Sequence, residues 1–183
     1  MQKKRRLIVL SDLWGWERAD WLTDYLDQLH CVYDITCYDS CSLGNVSTTD
    51  RNEAALHAQF MDGGLEKAVS RLLELESAVA SLDNSPVDVL AFSIGGTIAW
   101  KACLSGLEAH RIFALSSTRL RYETILPAAG MHLYYGETDP YKPDEVWMRQ
   151  MNLSCRIFPE TGHLLYRESI FVSKVCLDIL NCV

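Results

Sequence analysis

Short apolar runs alternate with helical segments along the whole chain, and this alternation limits the fold more than any other feature. Arg5 to Leu10 and Val87 to Phe92 lack the in-out pattern of a half-exposed strand, so each reads as a strand buried on both faces. Cys31 to Tyr38, Arg111 to Leu115, Met131 to Tyr135 and Cys155 to Phe158 complete the set of strands. Between them, Trp21, Leu22, Tyr25, Leu26 and Leu29 recur at helical spacing within Glu17 to Leu29. Leu65 to Leu82 carries a broad apolar face and ends at Asp83-Asn84-Ser85-Pro86. A short helix is expected over Glu53 to Phe60, and further helices over Thr97 to Leu104, Asp144 to Met151 and Leu164 to Leu180. Strand and helix in repeated alternation predict an α/β fold with a roughly six-stranded parallel sheet and helices on both faces. Ser42 to Arg51 reads as the longest irregular loop, with no legible function.

Bulk properties narrow the surroundings. The 183 residues are 49% hydrophobic, which suits one domain spanning 1 to 183 with a substantial core. The seven cysteines are an odd number and mostly lie within apolar runs, as reduced, packed thiols of a cytoplasmic protein would. The basic start Lys3-Lys4-Arg5-Arg6 is followed by too short an apolar run for an export signal. No stretch reaches the roughly eighteen apolar residues of a membrane span, so no membrane partner is expected. A formal net charge of -7 argues against a nucleic-acid partner, whose binding depends on Lys and Arg displacing counterions. Cys37, Cys41 and His30 lack a second ligand pair at metal-site spacing, so no metal is expected. Gly95-Gly96 precedes no lysine and G-x-G-x-x-G is absent, so neither a phosphate loop nor a cofactor is expected.

In a parallel sheet, ligands bind beyond the carboxyl ends of the strands. There Ala91-Phe92-Ser93-Ile94-Gly95-Gly96 stands between a strand and a helix. A nucleophile lifted on so sharp a turn needs small residues two before and two after it, and Ala91 and Gly95 meet that requirement. The helix that follows aims unpaired N–H groups toward an oxyanion next to Ser93. The purely structural alternative is that Ser93 caps this helix and the glycines serve packing.

A serine hydroxyl needs a base to take its proton. His30, His57, His110 and His132 do not fall at the carboxyl end of a strand, whereas His163 follows the last one. After Met131 to Tyr135 comes Gly136-Glu137-Thr138-Asp139-Pro140, which offers a carboxylate to orient the histidine. Glu137 and Asp144 compete for that role, and Asp139 has the alternative of starting a turn before Pro140.

With Ala91 in place of the first glycine of G-x-S-x-G, this segment resembles the nucleophile elbow of the α/β-hydrolase family. Gly136 to Asp139 is similar to that family's strand-G-x-x-D segment, and the order Ser93, Asp139, His163 is the family's order. The resemblance covers nearly the whole chain. It implies a minimal α/β-hydrolase fold and a serine hydrolase with the triad Ser93, Asp139 and His163, acting on an ester or thioester, with the family's short esterases of carrier-protein-linked acyl esters as one analogy for the substrate. It also implies two backbone oxyanion donors, Ile94 and, where Ser11-Asp12 replaces the family's His-Gly pair, Leu13.

Only about fifteen residues separate Leu115 from Met131, too few for a helical lid at 1.5 Å rise per residue, so no cap and an open site are expected. Arg119, Arg121 and Tyr122 on that rim, with Trp14 and Trp16 opposite, are candidates for an apolar acyl slot with a basic collar. The alternative is ordinary aromatic packing and solvated arginines. At the level of the whole protein, the rival is a non-catalytic α/β binding or scaffold protein that keeps the elbow as packing. A flavodoxin-like domain is disfavoured because Asp12 and two tryptophans are poor anion hosts. The oligomeric state is not encoded in any of these features.

Overall fold

The computed structural model describes residues 4–50, 52–80 and 87–182. Among them, six strands form one sheet: β1 (Arg5–Leu10), β2 (Tyr33–Tyr38), β3 (Val87–Phe92), β4 (Ala109–Leu115), β5 (Gly130–Gly136) and β6 (Cys155–Phe158). Their spatial order is β2-β1-β3-β4-β5-β6, and every neighbouring pair is parallel. The helices are α1 (Leu22–Leu29), α2 (Ser40–Gly44), α3 (Glu53–Gln59), α4 (Leu65–Ala80), α5 (Ile94–Leu104), α6 (Glu145–Gln150) and α7 (Ser169–Asn181).

The runs without alternation are buried on both faces because successive side chains enter different layers. Leu7, Val9, Leu90 and Phe92 pack with α1 and α7, whereas Ile8, Leu10, Val89 and Ala91 pack with α3, α4, α5 and α6. The central strand β3 is buried along its whole length. Each fully buried Leu, Ile, Val or Phe contributes about 1.5–3 kcal/mol of transfer free energy, which makes these two layers the main source of stability.

At the amino ends of the strands lies one buried charge cluster. Asp88 is wholly buried, and it accepts from Arg111 Nε at 3.1 Å, Arg111 Nη2 at 2.9 Å and the Tyr33 hydroxyl at 2.8 Å. The bidentate guanidinium fork satisfies both carboxylate oxygens, which a buried charge requires.

Several boundaries differ from the sequence reading. Glu17 to Leu29 is divided into a single turn, Trp16–Arg18, and α1. The helix after Ser93 begins at Ile94 rather than Thr97, and Leu164 to Leu180 is divided into a turn, Leu165–Arg167, and α7. The first residues of the expected Ser42 to Arg51 loop belong to α2, because the Asp39 carboxylate caps that helix by accepting from the Ser42 N–H at 2.8 Å. The expected end of the Leu65 helix at Asp83 to Pro86 lies outside the described residues. Between β4 and β5 there is only the turn Leu120–Tyr122, so among the described residues the sheet carries no cap domain. No helix among the described residues is long and apolar enough to cross a membrane, and all seven cysteines are free thiols.

Candidate active site

Ser93 stands directly after β3 with φ 50 and ψ -116, a backbone region that a residue with a Cβ occupies only under strain. Two contacts hold it there. Its N–H donates to the Leu115 carbonyl at 2.9 Å, and the following helix presses close to the end of β1. A Cβ on Gly95 would lie 2.6 Å from the Ser11 carbonyl oxygen and 2.9 Å from that of Leu10, so only glycine fits. The requirement for small residues around the serine thus has a specific cause here, the approach of α5 to β1.

The Ser93 hydroxyl lies 3.2 Å from His163 Nε2, and His163 Nδ1 lies 3.0 Å from Asp139 Oδ2. With the Nδ1 proton facing the carboxylate, Nε2 is left to accept from the serine. Asp139 is 4% exposed, and its other oxygen accepts from the Tyr141 N–H at 2.9 Å. Burial would raise the Asp139 carboxyl, but the hydrogen bonds from His163 and the Tyr141 N–H outweigh it and hold the group below its ordinary value. The competing carboxylates are engaged elsewhere: Asp144 caps α6 through the Trp147 N–H at 2.8 Å, and Glu137 accepts from the Glu160 N–H at 3.0 Å.

His163 reaches Asp139 because the loop after β6 lies directly on the end of β5. The Thr138 N–H and hydroxyl both donate to the Thr161 carbonyl, at 3.0 and 2.9 Å. A Cβ on Gly136 would lie 2.4 Å from that carbonyl oxygen and 2.5 Å from that of Gly162.

The loop after β1 is similarly tied. Ser11 and Ser40 exchange hydrogen bonds, the Ser40 N–H donating to Ser11 Oγ at 2.7 Å and the Ser40 hydroxyl to the Ser11 carbonyl at 2.6 Å. The Cys41 thiol donates to the Leu13 carbonyl at 3.2 Å, and burial, the largest cause, pushes its pKa up to about 12. Leu13 and Ile94 both border the cleft that holds Ser93, and neither of their N–H groups is taken by another hydrogen bond among the described residues. Such paired free donors beside a serine can hold a developing oxyanion.

This cleft has a volume of about 990 Å³. Trp14, Arg119, Arg121 and Tyr122 border it as the sequence suggests. Trp16 does not. Gly15, at φ 66, turns the chain between the two tryptophans, and Trp16 packs toward the α1 and α7 layer while its N–H donates to Asp39 at 2.8 Å. Arg121 donates to the carbonyls of Thr118 and Tyr141 and, at 3.0 Å, to the Tyr122 hydroxyl, so it braces the rim. Tyr141, whose ring meets His163 edge-on at 4.9 Å, is not singled out by the sequence reading although it stands only two residues beyond Asp139 in the same loop. The wall made by Glu53 and His57 of α3 was missed too, because no local pattern points to it.

No protein-family model matches the sequence, and no curated protein matches it. Solved structures do. A protein from Xanthomonas campestris pv. campestris, described as a candidate hydrolase of the α/β superfamily, shares 16% identity at a TM-score of 0.71, over 99% of this chain and 100% of its own. Est1E from Butyrivibrio proteoclasticus shares 13% identity at a TM-score of 0.70, over 99% of this chain and 89% of that one. An α/β serine hydrolase without lid from Xanthomonas campestris shares 14% identity at a TM-score of 0.68, over 99% and 84% of the two chains. The order of the strands, the turn at Ser93, the absence of a cap and these likenesses together mean that the chain has a minimal, capless α/β-hydrolase fold.

Proposed function

We propose that the chain is a serine hydrolase that cleaves a carboxylic ester or thioester. The observation that carries this reading is the continuous array Ser93, His163, Asp139, with hydrogen-bonding distances at both links. Ser93 Oγ attacks the substrate carbonyl as His163 Nε2 takes its proton. Asp139 keeps the imidazole in the required tautomer and stabilises the imidazolium. The N–H groups of Leu13 and Ile94 hold the oxyanion. Collapse of the tetrahedral intermediate expels the alcohol or thiol, which takes the proton from His163 and leaves an acyl-serine. Water, activated by the same imidazole, then releases the acid and restores Ser93.

An ester or thioester suits the site better than a peptide, because an open, capless cleft offers little to position an amine leaving group. Tyr122 and Tyr141 offer an apolar wall. Arg119 and Arg121, both stacked over the Tyr122 ring, favour an acyl group with an acidic attachment, either a small anionic ester or one linked to an acidic carrier protein. Among the structural neighbours, Est1E has been solved with ferulic acid bound, which supports an ester of a carboxylic acid as the substrate class. Seven free thiols favour a reducing compartment, the cytoplasm.

Fluorophosphonate labelling tests the mechanism. The expected result is one label per chain in the wild type and none in Ser93→Ala; no labelling between pH 6 and 9 would return the chain to a non-catalytic binding role. A panel of p-nitrophenyl esters and acyl thioesters of graded length would then define the acyl group.

A further inference from the structure

Asp12 presents a problem for the oxyanion site and a solution to it. The residue is 1% exposed and directly precedes Leu13, so its negative charge would oppose an oxyanion held by the Leu13 N–H. Every contact of its carboxylate counters this. Oδ1 accepts from the Trp14 N–H at 2.9 Å, which fixes the backbone on the far side of Leu13. Oδ2 accepts from the Tyr166 hydroxyl at 3.0 Å and from Arg167 Nη2 at 2.5 Å.

Tyr166 and Arg167 belong to the single turn Leu165–Arg167, just after His163. Tyr166 meets the His163 ring edge-on at 6.3 Å, and its carbonyl accepts from the Tyr25 hydroxyl at 3.0 Å. Arg167 lies over the rings of Trp21, at 5.9 Å, and Tyr166, at 5.7 Å. One buried carboxylate therefore ties the loop after β1 to the loop after β6, and a cation on the second loop cancels its charge.

We propose that Asp12 is a positioning residue that, through Tyr166 and Arg167, sets the Leu13 N–H relative to Ser93 and His163, and that Arg167 is required to keep Asp12 from repelling the oxyanion. The proposal rests on the serine-hydrolase reading above. It makes the unusual Ser11-Asp12 pair a built part of the oxyanion site.

A double-mutant cycle tests it, with kcat and KM on a p-nitrophenyl ester, the rate of fluorophosphonate labelling, and circular dichroism to establish folding. Asp12→Ala frees the Leu13 turn and should lower kcat about 100-fold, the scale for losing one oxyanion donor, with KM within about 3-fold because the oxyanion exists only in the transition state. Arg167→Gln leaves the carboxylate uncompensated and should lower kcat about 10-fold or more, whereas Arg167→Lys keeps the charge and most of the activity. The distinctive outcome is rescue: Asp12→Asn added to Arg167→Gln should recover kcat by about 5-fold or more, since a neutral amide no longer repels the oxyanion.

Additive losses in the double variant, judged against Arg167→Gln and Asp12→Asn measured singly, or a folded Asp12→Ala enzyme with kcat within about 3-fold of wild type, would overturn the proposal. If Asp12→Ala does not fold, the comparison of Arg167→Gln with the double variant decides alone. An unlabelled wild type would instead sink the hydrolase reading, so the two failures are separable.

Discussion

Gly136→Ala isolates how the fold brings His163 to Asp139. Gly136 has no unusual backbone angle that would itself exclude alanine, so the added Cβ acts through space alone. That atom would lie 2.4 Å from the Thr161 carbonyl oxygen and 2.5 Å from the Gly162 one, where an ordinary contact begins at 3.4 Å. Both obstacles are backbone, so no rotamer change relieves them, and the loop must retreat by about 1 Å. His163 is the next residue along that loop. A misplacement of about 1 Å at a catalytic group costs about 100-fold in rate, or about 2.7 kcal/mol of transition-state stabilisation. Overpacking also destabilises by about 1–3 kcal/mol, and about 2–4 °C of melting temperature is lost per kcal/mol in a domain of this size. The assay is kcat on an activated ester together with the fluorophosphonate labelling rate, at a temperature where circular dichroism shows the variant folded. Gly130→Ala is the control: it lies at the other end of the same strand, where a Cβ would be 3.4 Å from the nearest atom, and it should change neither quantity. A folded Gly136→Ala enzyme with kcat within about 3-fold of wild type would refute the claim that this close approach places the histidine.

Three further outcomes follow from the same geometry. Ser93→Gly should melt above Ser93→Ala, both being inactive, because glycine relieves the positive φ of 50 that alanine retains; after the entropy of the extra glycine freedom the difference should be about 1 kcal/mol, and equal melting temperatures would show that the turn is not strained. Asp139 has a folded pKa below its unfolded value, so its contribution to stability is full above about pH 4, the ordinary carboxylate range, and is lost as the pH falls through the folded value; urea midpoints of wild type and Asp139→Asn should differ at pH 6 and converge as the pH is lowered past that folded value. Arg111→Met leaves the wholly buried Asp88 without its bidentate partner and should cost about 3–5 kcal/mol in urea unfolding, while kcat per folded molecule stays unchanged.

The central features of the site are legible because each obeys one local rule. Ser93, Asp139 and His163 all follow the carboxyl end of a strand, and short apolar runs mark those strands without knowledge of the rest of the fold. Trp16 shows where the rule stops. It shares a loop with Trp14, but the turn at Gly15 sends the two rings to different sides, and a backbone angle is not written in composition. The α3 wall is harder still. It stands where it does because the chain kinks at Asp62 and Gly63, and because a Cβ on Gly44 would lie 2.8 Å from the Gly64 carbonyl oxygen. That contact joins segments distant in sequence, so no window of residues contains it. The helix start at Ile94 was misread for a related reason. Gly95 and Gly96 are poor helix formers, yet the first must pass the Ser11 carbonyl and the second lies against Ser117, so packing overrides propensity.

The two ends of the sheet carry different burdens, and the division explains why the site can be strained without unfolding the protein. Of the five non-glycine residues with positive φ among the described ones, Ser93, Ser116 and Glu160 directly follow β3 and β4 or lie just past β6, all at the carboxyl ends. Strain of that kind costs about 1–3 kcal/mol per residue and persists only where surrounding contacts over-determine the backbone. Here they do: the Ser93 and Ser116 N–H groups donate to the carbonyls of Leu115 and Tyr134, each on the neighbouring strand, and Glu160 donates to Glu137. Ser93 and Ser116 are thus fastened to the next strand of the sheet, and Glu160 to the loop that carries Asp139. The opposite end, where Asp88 is saturated by Arg111 and Tyr33, holds a fully paired charge and none of these strained residues. A substitution at the Asp88 end should therefore change how much protein is folded, and one at the carboxyl ends should change what the folded protein can do.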